Sequence, residues 1–248
     1  MNIPLILMSQ RILHISDSHI NNNQYTNNSK IPLGGLSLAV NLAIEIDIDS
    51  IVHSGNLFHY QCVDDNIIDA VRAELQKLST VGIDFFCIMG DKELSGNGTA
   101  FSKLIEEKYI KQLDLTATKR ENIAFFGFAH AETKEDIQIR LQSLSDTSQS
   151  TQNIVVTHQH LSPPCKQELA DMSAEEFYSS TDLDIDIVLA GGTYEPSKWD
   201  AEDTNFSIVY SGATNPLTIA PEATITGSLI EVGSKDYKIQ TANLRKIN

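Results

Sequence analysis

The chain has 248 residues, of which 41% are hydrophobic, and its formal net charge at pH 7 is -15. This composition predicts a globular protein of one large domain or two small ones, with a sizeable core. The negative charge, with no run of Lys or Arg to form a basic patch, makes binding of nucleic acid by this chain alone unfavourable at ordinary salt.

The N-terminus and the cysteines bear on where the protein resides. Met1–Met8 contains an apolar run, but this run lacks a basic leader and is far too short to span a bilayer. We therefore expect residues 1–10 to form an extension or an early edge strand, followed by one folded domain over residues 11–248 and no membrane segment. The three cysteines lie far apart and form no C-x-x-C pair, which favours reduced thiols in a cytoplasmic protein.

The first part of the chain alternates between predicted strands and helices. Buried strands are predicted at the start of Arg11–Ile20, at Ser50–His53 and at Ile83–Met89. Apolar residues at helical spacing around Leu36 to Ile44 predict the first helix, and the second runs from an N-cap at Asp64 to Gly82. Repeated strand-helix-strand units predict right-handed crossovers and a largely parallel sheet, with the turns that follow the strands on one edge.

The second part is less regular. Its predicted helices are Phe101–Lys108 and Lys134–Leu144, and Ser145–Gln152 is interpreted as a surface linker. The predicted strands are Ile123–Phe128, Ile154–Thr157 and Ile185–Ala190, followed by an antiparallel set made of Ser207–Tyr210, Gly227–Val232 and Tyr237–Thr241.

Polar side chains follow several of these strands. Asp17 and His19 stand just after the first strand, where ligand crevices of open α/β sheets lie, so a metal or phosphate site is expected there. The simpler interpretation of Asp17 is a turn cap. Three other histidines could supply ligands, although each is more simply a packed or surface residue: His53, His59 and His160.

Two weaker signals concern other residues. Cys165 near His160 could form a nucleophilic pair, but no oxyanion or orienting motif accompanies it. Tyr194 and Trp199 could stack on a base, with core or rim packing as the simpler interpretation. We give neither signal weight in the functional prediction.

The order of the turns resembles the calcineurin-like metallophosphoesterases, and most of all the SbcD-type double-strand-break repair exonucleases. The residues that carry the resemblance are Gly55-Asn56-Leu57-Phe58-His59, Thr157-His158-Gln159, Glu195-Pro196 and Tyr210-Ser211-Gly212-Ala213-Thr214. The resemblance covers nearly the whole chain and implies a four-layer α/β/β/α sandwich with mixed sheets. Because the sequence stops near Asn248, we expect it to lack the C-terminal capping domain of that family and the segment by which the family binds its SbcC-type ATPase partner.

The family's five motifs are D-x-H, G-D, G-N-H, a single His and G-H-x-H, and this chain departs from them. Asp17 and His19 match the first motif and His158 the fourth, which implies metal ligands. Lys92 replaces the catalytic His, and His59 matches a histidine that the nucleases keep near the site, so these two are the candidate catalytic residues. The remaining departures are Asn56 for the bridging carboxylate, Asp91 for a metal-binding Asn, and Gly192 and Tyr194 for the two histidines of the fifth motif.

These departures weaken the implied two-metal chemistry. A bridging carboxylate offsets the repulsion between two cations, which Asn56 as a neutral residue cannot do. Lys92 holds a fixed charge where a titratable imidazole normally protonates the leaving group. The cofactor is therefore expected to be manganese or another divalent metal, with one weakly held ion or none.

Two functions follow from the resemblance and its departures. The leading prediction is an SbcD-like protein that is catalytically impaired and acts by binding, with a DNA repair protein as its partner. The alternative is an active metal-dependent phosphoesterase or exonuclease with a remodelled site, in which one metal is held by Asp17, His19, Asp91 and His158.

Overall fold

The computed structural model describes residues 9–20, 33–60, 63–94, 99–145, 150, 152–215, 224–234 and 236–245. In chain order its helices are α1 (Gly34–Glu45), α2 (Asp65–Val81), α3 (Asp91–Leu94), α4 (Thr99–Glu106), α5 (Lys134–Gln142) and α6 (Ala174–Ser179). Its strands are β1 (Gln10–Ile15), β2 (Ser50–His53), β3 (Asp84–Cys87), β4 (Lys111–Gln112), β5 (Thr118–Arg120), β6 (Ile123–Phe128), β7 (Gln152–Thr157), β8 (Leu161–Ser162), β9 (Met172–Ser173), β10 (Ile187–Ala190), β11 (Ser197–Asp200), β12 (Ser207–Tyr210), β13 (Thr226–Val232) and β14 (Tyr237–Asn243).

The first sheet confirms the predicted strand-helix alternation. Its order is β14-β13-β1-β2-β3-β4, and β1 to β4 run parallel while β13 and β14 pair antiparallel. Helix α2 begins after Asp64 and ends at Gly82, whose φ of 80° suits a residue without a Cβ. Its buried residues recur at helical spacing on one face, as the sequence predicts: Ile67, Ile68, Val71, Leu75 and Leu78.

The second sheet has the order β11-β12-β10-β7-β6-β5. One prediction about this region is wrong: Ser207–Tyr210 does not join the antiparallel set at the end of the chain. It forms β12, which pairs in parallel with β10 and antiparallel with β11. A short apolar strand carries no mark of its partner, because sheet membership is decided by long-range packing.

Three layers of buried side chains hold the four structural layers together. Ile12, Val52, Phe86, Phe125 and Val156 are among the residues that pack between the two sheets. A second core joins the first sheet to α1, α2 and α4, and a third joins the second sheet to α5 and α6. Because side chains alternate between the two faces of each strand, each sheet contributes to two of these cores. This arrangement is the α/β/β/α sandwich that the resemblance implies.

Some of the predicted segments include residues that the structure does not describe. The extension at Met1–Met8 lies outside the described residues, as does most of the Ser145–Gln152 linker. Gln10 belongs to β1 and pairs with Val232. Across the described residues, no helix is both long and apolar enough to cross a membrane.

Candidate functional site

The candidate site lies where strands of both sheets end at the same level. Ile15 pairs with His53 and His53 with Cys87, so the turns after β1, β2 and β3 meet at one edge. Thr157 pairs with Ala190 in the second sheet, which brings the turns after β7 and β10 to the same edge. A pocket of about 190 Å³ opens there and is lined by Asp17, His19, Asn56, Asp91, Lys92, His130, His158, His160, Gly192, Thr193 and Tyr194.

The backbone of the first two turns is held in an uncommon conformation. The φ angles of Asp17, His19 and Asn56 are 52°, 44° and 59°, in the left-handed region that side chains with a Cβ rarely adopt. Asp17 N donates to Gly55 O at 3.1 Å, and His19 N donates to Asn56 O at 2.9 Å. Such conformations persist only when the surroundings stabilise them, and they cluster at functional sites.

The side chain of Asn56 lies at the centre of the pocket. Its Oδ1 accepts from Lys92 N at 3.1 Å, which identifies the other end of the amide as Nδ2. Nδ2 lies 3.1 Å from Asp17 Oδ1 and 2.9 Å from Asp91 Oδ1. An amide nitrogen has two hydrogens, so both are used on these carboxylates. Asn56 therefore bridges two acids by donating to them.

His158 adds a charge to the same group. Its Nδ1 donates to Ser54 O at 2.7 Å, and its Nε2 lies 3.5 Å from Asp91 Oδ1 and 3.9 Å from Asp17 Oδ1. Burial by itself lowers the pKa of His158, but the Asp17 charge and the Asp91 hydrogen bond outweigh it and raise the pKa to about 9. His158 is thus an imidazolium at neutral pH. Nε2 also lies 3.0 Å from Asn56 Nδ2, where the neutral ring would accept a hydrogen bond and the protonated ring instead places two donors side by side.

The two carboxylates stay ionised in this setting. Burial raises the pKa of Asp17, but His158, the His19 hydrogen bond and the Gly192 N–H lower it well below its ordinary value. The His158 hydrogen bond is the largest influence on Asp91 and lowers its pKa, against the effect of burial. The negative charges of Asp17 and Asp91 therefore balance the positive charges of His158 and Lys92.

Lys92 supplies that ammonium at the mouth of the pocket. Its Nζ lies 2.7 Å from Asp91 Oδ2, with 46% of the side chain exposed. The hydrogen bond from Lys92 to Asp91 raises the pKa of the lysine, so it holds its proton more firmly. Lys92 is a charge partner of Asp91 here and is a poor proton donor at neutral pH.

The other predicted residues take different positions. His59 Nδ1 lies 3.1 Å from His19 Nδ1, and burial followed by the His19 and Lys92 charges lowers the pKa of His59. Gly192 donates its N–H to Asp17 Oδ2 at 2.9 Å. Tyr194 lines the pocket with 59% of its surface exposed.

Among the possible substitute ligands, His53 is placed behind the site. It is fully buried, and its Nε2 hydrogen-bonds Ser18 Oγ at 2.9 Å. His160 does line the pocket. Trp199 packs edge-on against Phe206 and lines a different cavity from Tyr194, so these two do not form a joint stacking surface.

Two residues of the site were missed in the sequence. His130 follows β6, lines the pocket and has its Nδ1 2.8 Å from His158 O. The rule that located Asp17, a polar residue just after a buried strand, would have found it. Glu93 is buried and accepts from the backbone N–H groups of Asn56, Phe58 and Gly90 at 2.8–3.1 Å, and burial raises its pKa to about 7. These hydrogen bonds join the turn after β2 to the turn after β3.

The donor set does not fit a pair of divalent ions. Asn56 turns its N–H groups towards the site, Gly192 has no side chain, and Lys92 adds a cation, whereas a two-metal centre needs a bridging anion. Within the described ranges, no group of three or more His, Cys, Asp or Glu side chains is arranged to hold a metal ion.

Comparisons with known proteins agree with this fold. The calcineurin-like phosphoesterase family matches residues 10–196. The DNA double-strand break repair protein Mre11 of Haloferax volcanii is 24% identical over 206 residues, which are 82% of this chain and 45% of that protein. Mre11 of Sulfurisphaera tokodaii is 29% identical over 61% of this chain and 41% of that protein. The chain thus spans less than half the length of these relatives.

Solved structures show the same architecture at lower identity. The protein TT1561 of Thermus thermophilus aligns with a TM-score of 0.62 at 17% identity, over 96% of this chain and 100% of the other. A dimetal phosphatase from Danio rerio aligns with a TM-score of 0.57 at 10% identity, over 95% and 96%. At such identities the likeness concerns the fold alone.

Proposed function

Because the chain belongs to the calcineurin-like phosphoesterase family, we propose that it is a relative of the Mre11 DNA double-strand break repair proteins that acts by binding and has lost most phosphoester hydrolysis. The family uses divalent metals, and the relatives carry the name of DNA double-strand break repair proteins. Catalytic impairment, the partner and a cytoplasmic location are parts of this proposal.

The observation that carries the proposal is the amide bridge of Asn56. Its Nδ2 donates to Asp17 Oδ1 and to Asp91 Oδ1, so the carboxylates that would face metal ions are already satisfied. A cation entering the pocket would have to displace these hydrogen bonds and approach the charges of Lys92 and His158. Metal binding is therefore opposed by both geometry and charge.

Lys92 supports the same proposal from the side of proton transfer. General acid catalysis is most efficient when the pKa of the acid lies near the working pH. The hydrogen bond to Asp91 raises the pKa of Lys92 further from neutrality. Lys92 stands where the family has its proton donor, and it therefore retains its proton at neutral pH.

The proposed partner is a protein of the repair machinery rather than bare DNA. The formal net charge of -15 opposes a phosphate backbone. An acidic protein surface can instead meet a basic surface on a partner protein. The chain spans less than half the length of these relatives, so the partner is a proposal for this chain.

The test is hydrolysis of a simple phosphodiester by the purified protein with added manganese. We expect negligible turnover in the parent chain. The matched comparisons are Asp17→Ala and His158→Ala, which remove groups that any catalysis at this site would need. Manganese-dependent turnover in the parent that disappears in both variants would overturn the proposal and establish an active site.

A second candidate, an active one-metal phosphoesterase, is favoured by a specific geometric observation. Oδ1 of Asp17 lies 3.4 Å from His19 Nε2, and Oδ1 of Asp91 lies 3.5 Å from His158 Nε2. Mixed imidazole and carboxylate ligands suit manganese, iron or zinc, and a bound metal would activate water for attack on phosphorus. Asn56 would first have to turn away. Calorimetry that detects one tight manganese site per chain, lost in His158→Ala, would favour this candidate.

A further inference from the structure

Both polar backbone groups of Gly192 form hydrogen bonds. Its N–H donates to Asp17 Oδ2 at 2.9 Å, and its carbonyl oxygen lies 2.9 Å from His160 Nε2. A carbonyl oxygen can only accept, so Nε2 of His160 is the donor. The backbone of Gly192 thus connects an imidazole on one loop with the carboxylate of Asp17 on another.

The imidazole of His160 also fills space beside Gly192. A Cβ on Gly192 would lie 3.3 Å from Nε2 and 3.4 Å from Cε1 of His160, closer than most Cβ contacts, and 3.6 Å from Nε2 of His158. The φ of Gly192 is 97°, which further disfavours any other residue. The ring therefore lies where a side chain at position 192 would begin.

His160 is itself held in place. Oδ2 of Asp171 accepts from His160 N at 2.8 Å and lies 3.7 Å from its Nδ1. The backbone N of Asp171 donates to His160 O at 2.8 Å. The imidazole is therefore fixed by Asp171 on one side and by the Gly192 carbonyl on the other.

We infer that His160 is a positioning residue for Asp17. Its ring occupies the space of the histidine side chain that the family's fifth motif has at position 192, and its hydrogen bond to the Gly192 backbone holds the Asp17 carboxylate in place. Oδ1 of Asp17 accepts from Asn56 and Oδ2 accepts from Gly192, so a shift of Gly192 would remove the hydrogen bond to Oδ2. This role does not depend on metal binding or on catalysis. It therefore stands or falls separately from the proposed function.

The amide signal of Gly192 reports on this role directly. Gly34-Gly35 and Gly191-Gly192 are the Gly-Gly pairs of the sequence. In full-length protein labelled with glycine carrying both ¹³C at the carbonyl and ¹⁵N, only Gly35 and Gly192 have a labelled carbonyl before the labelled amide. An HNCO spectrum selects these two signals, and Gly35 serves as the reference for an intact fold.

The informative variants are His160→Ala, His160→Gln and His130→Ala. An amide proton bonded to a carboxylate resonates downfield, so we expect His160→Ala to move the Gly192 signal upfield and leave Gly35 unchanged. His160→Gln keeps a donor close to the place of Nε2 and should retain the parent shift. His130→Ala, which alters another pocket histidine that bonds His158 O, should leave Gly192 unchanged.

Three outcomes would overturn the inference: an unmoved Gly192 signal in folded His160→Ala, a glutamine variant that behaves like alanine, or an equal effect of His130→Ala. Should the alanine variant fail to fold, His160→Asn replaces it, since its amide is too short to reach the Gly192 carbonyl. An upfield shift in that variant with rescue by glutamine supports the inference.

Discussion

Oδ1 of Asp91 accepts a hydrogen bond at 2.9 Å from the side-chain amide of Asn56. Relative to the family pattern, the carboxylate and the amide have changed places between these two turns. The number of carboxylates is kept, but the amide now donates to both acids. This arrangement makes the first prediction.

Asn56→Asp should destabilise the protein, because it replaces two N–H donors by a third carboxylate in a buried group. Loss of buried hydrogen bonds together with an unpaired charge predicts a decrease on the order of 2–5 kcal/mol in the free energy of unfolding. Urea denaturation at neutral pH with a chelator present measures it. Asn41→Asp, at an exposed position of α1, is the matched control and should change stability by less than about 0.5 kcal/mol.

The second prediction concerns pH. The folded pKa of His158 is about 9, above the ordinary value of 6.5, so folding takes up a proton. The stability it contributes is fully present below pH 6.5 and is lost as pH rises through about 9, by roughly 3 kcal/mol at most. Unfolding free energies in chelator should fall over this range in the parent.

His158→Gln separates this effect from other titrations. The variant should be less stable at pH 7 and should lack most of the decline between pH 7 and pH 9. Glu93 has a folded pKa of about 7, raised from 4.5 by burial, so the stability that its protonated form contributes is present below pH 4.5 and is lost as pH rises from about 4.5 to 7, below the range of His158. An equal decline above pH 7 in parent and variant would contradict the assignment to His158.

The third prediction tests whether positions 160 and 192 are coupled. Gly192→His should destabilise, with backbone strain at a positive φ costing on the order of 1–3 kcal/mol and the contact with His160 adding to it. His160→Gly removes that contact, so the double variant should be more stable than the sum of the two single changes predicts. A double-mutant cycle on urea denaturation should give a coupling of about 1 kcal/mol, and a coupling near zero would show that the side chains do not compete.

A fourth prediction concerns restoration of metal binding. The parent should bind at most one manganese ion weakly, because ligands of both sites are missing. The five-fold variant Asn56→Asp, Asp91→Asn, Lys92→His, Gly192→His and Tyr194→His supplies the ligands, but His160 still lies beside position 192. Addition of His160→Gly should produce two manganese sites by calorimetry and manganese-dependent phosphodiester turnover. Two tight sites in the parent would refute this prediction.

The fifth prediction concerns DNA. The net charge of -15 predicts weak binding of duplex DNA at physiological salt by the chain alone. Fluorescence anisotropy with a labelled duplex across a salt series measures the affinity. A sub-micromolar complex that survives physiological salt without a partner protein would contradict the prediction.

Much of the first sheet could be predicted from the sequence because its signals are local. Apolar periodicity and the end signals at Asp64 and Gly82 locate α2, and buried runs locate β1 to β3. Asp17 and Asn56 then follow strand ends by chain order alone. The fate of Ser207–Tyr210 could not be predicted, because a strand's partner depends on residues far along the chain.

The sequence by itself identified many of the residues that reach the site's edge, although not His130 or Glu93, and it showed which family positions had changed their chemistry. Only the tertiary structure decided what those residues do there. The orientation of the Asn56 amide depends on the Lys92 N–H and on two carboxylates from other turns. The position of His160 beside Gly192 depends on the register of β7 and β10. Such contacts join residues distant in the chain, and no local pattern records them because their geometry exists only after both sheets have packed.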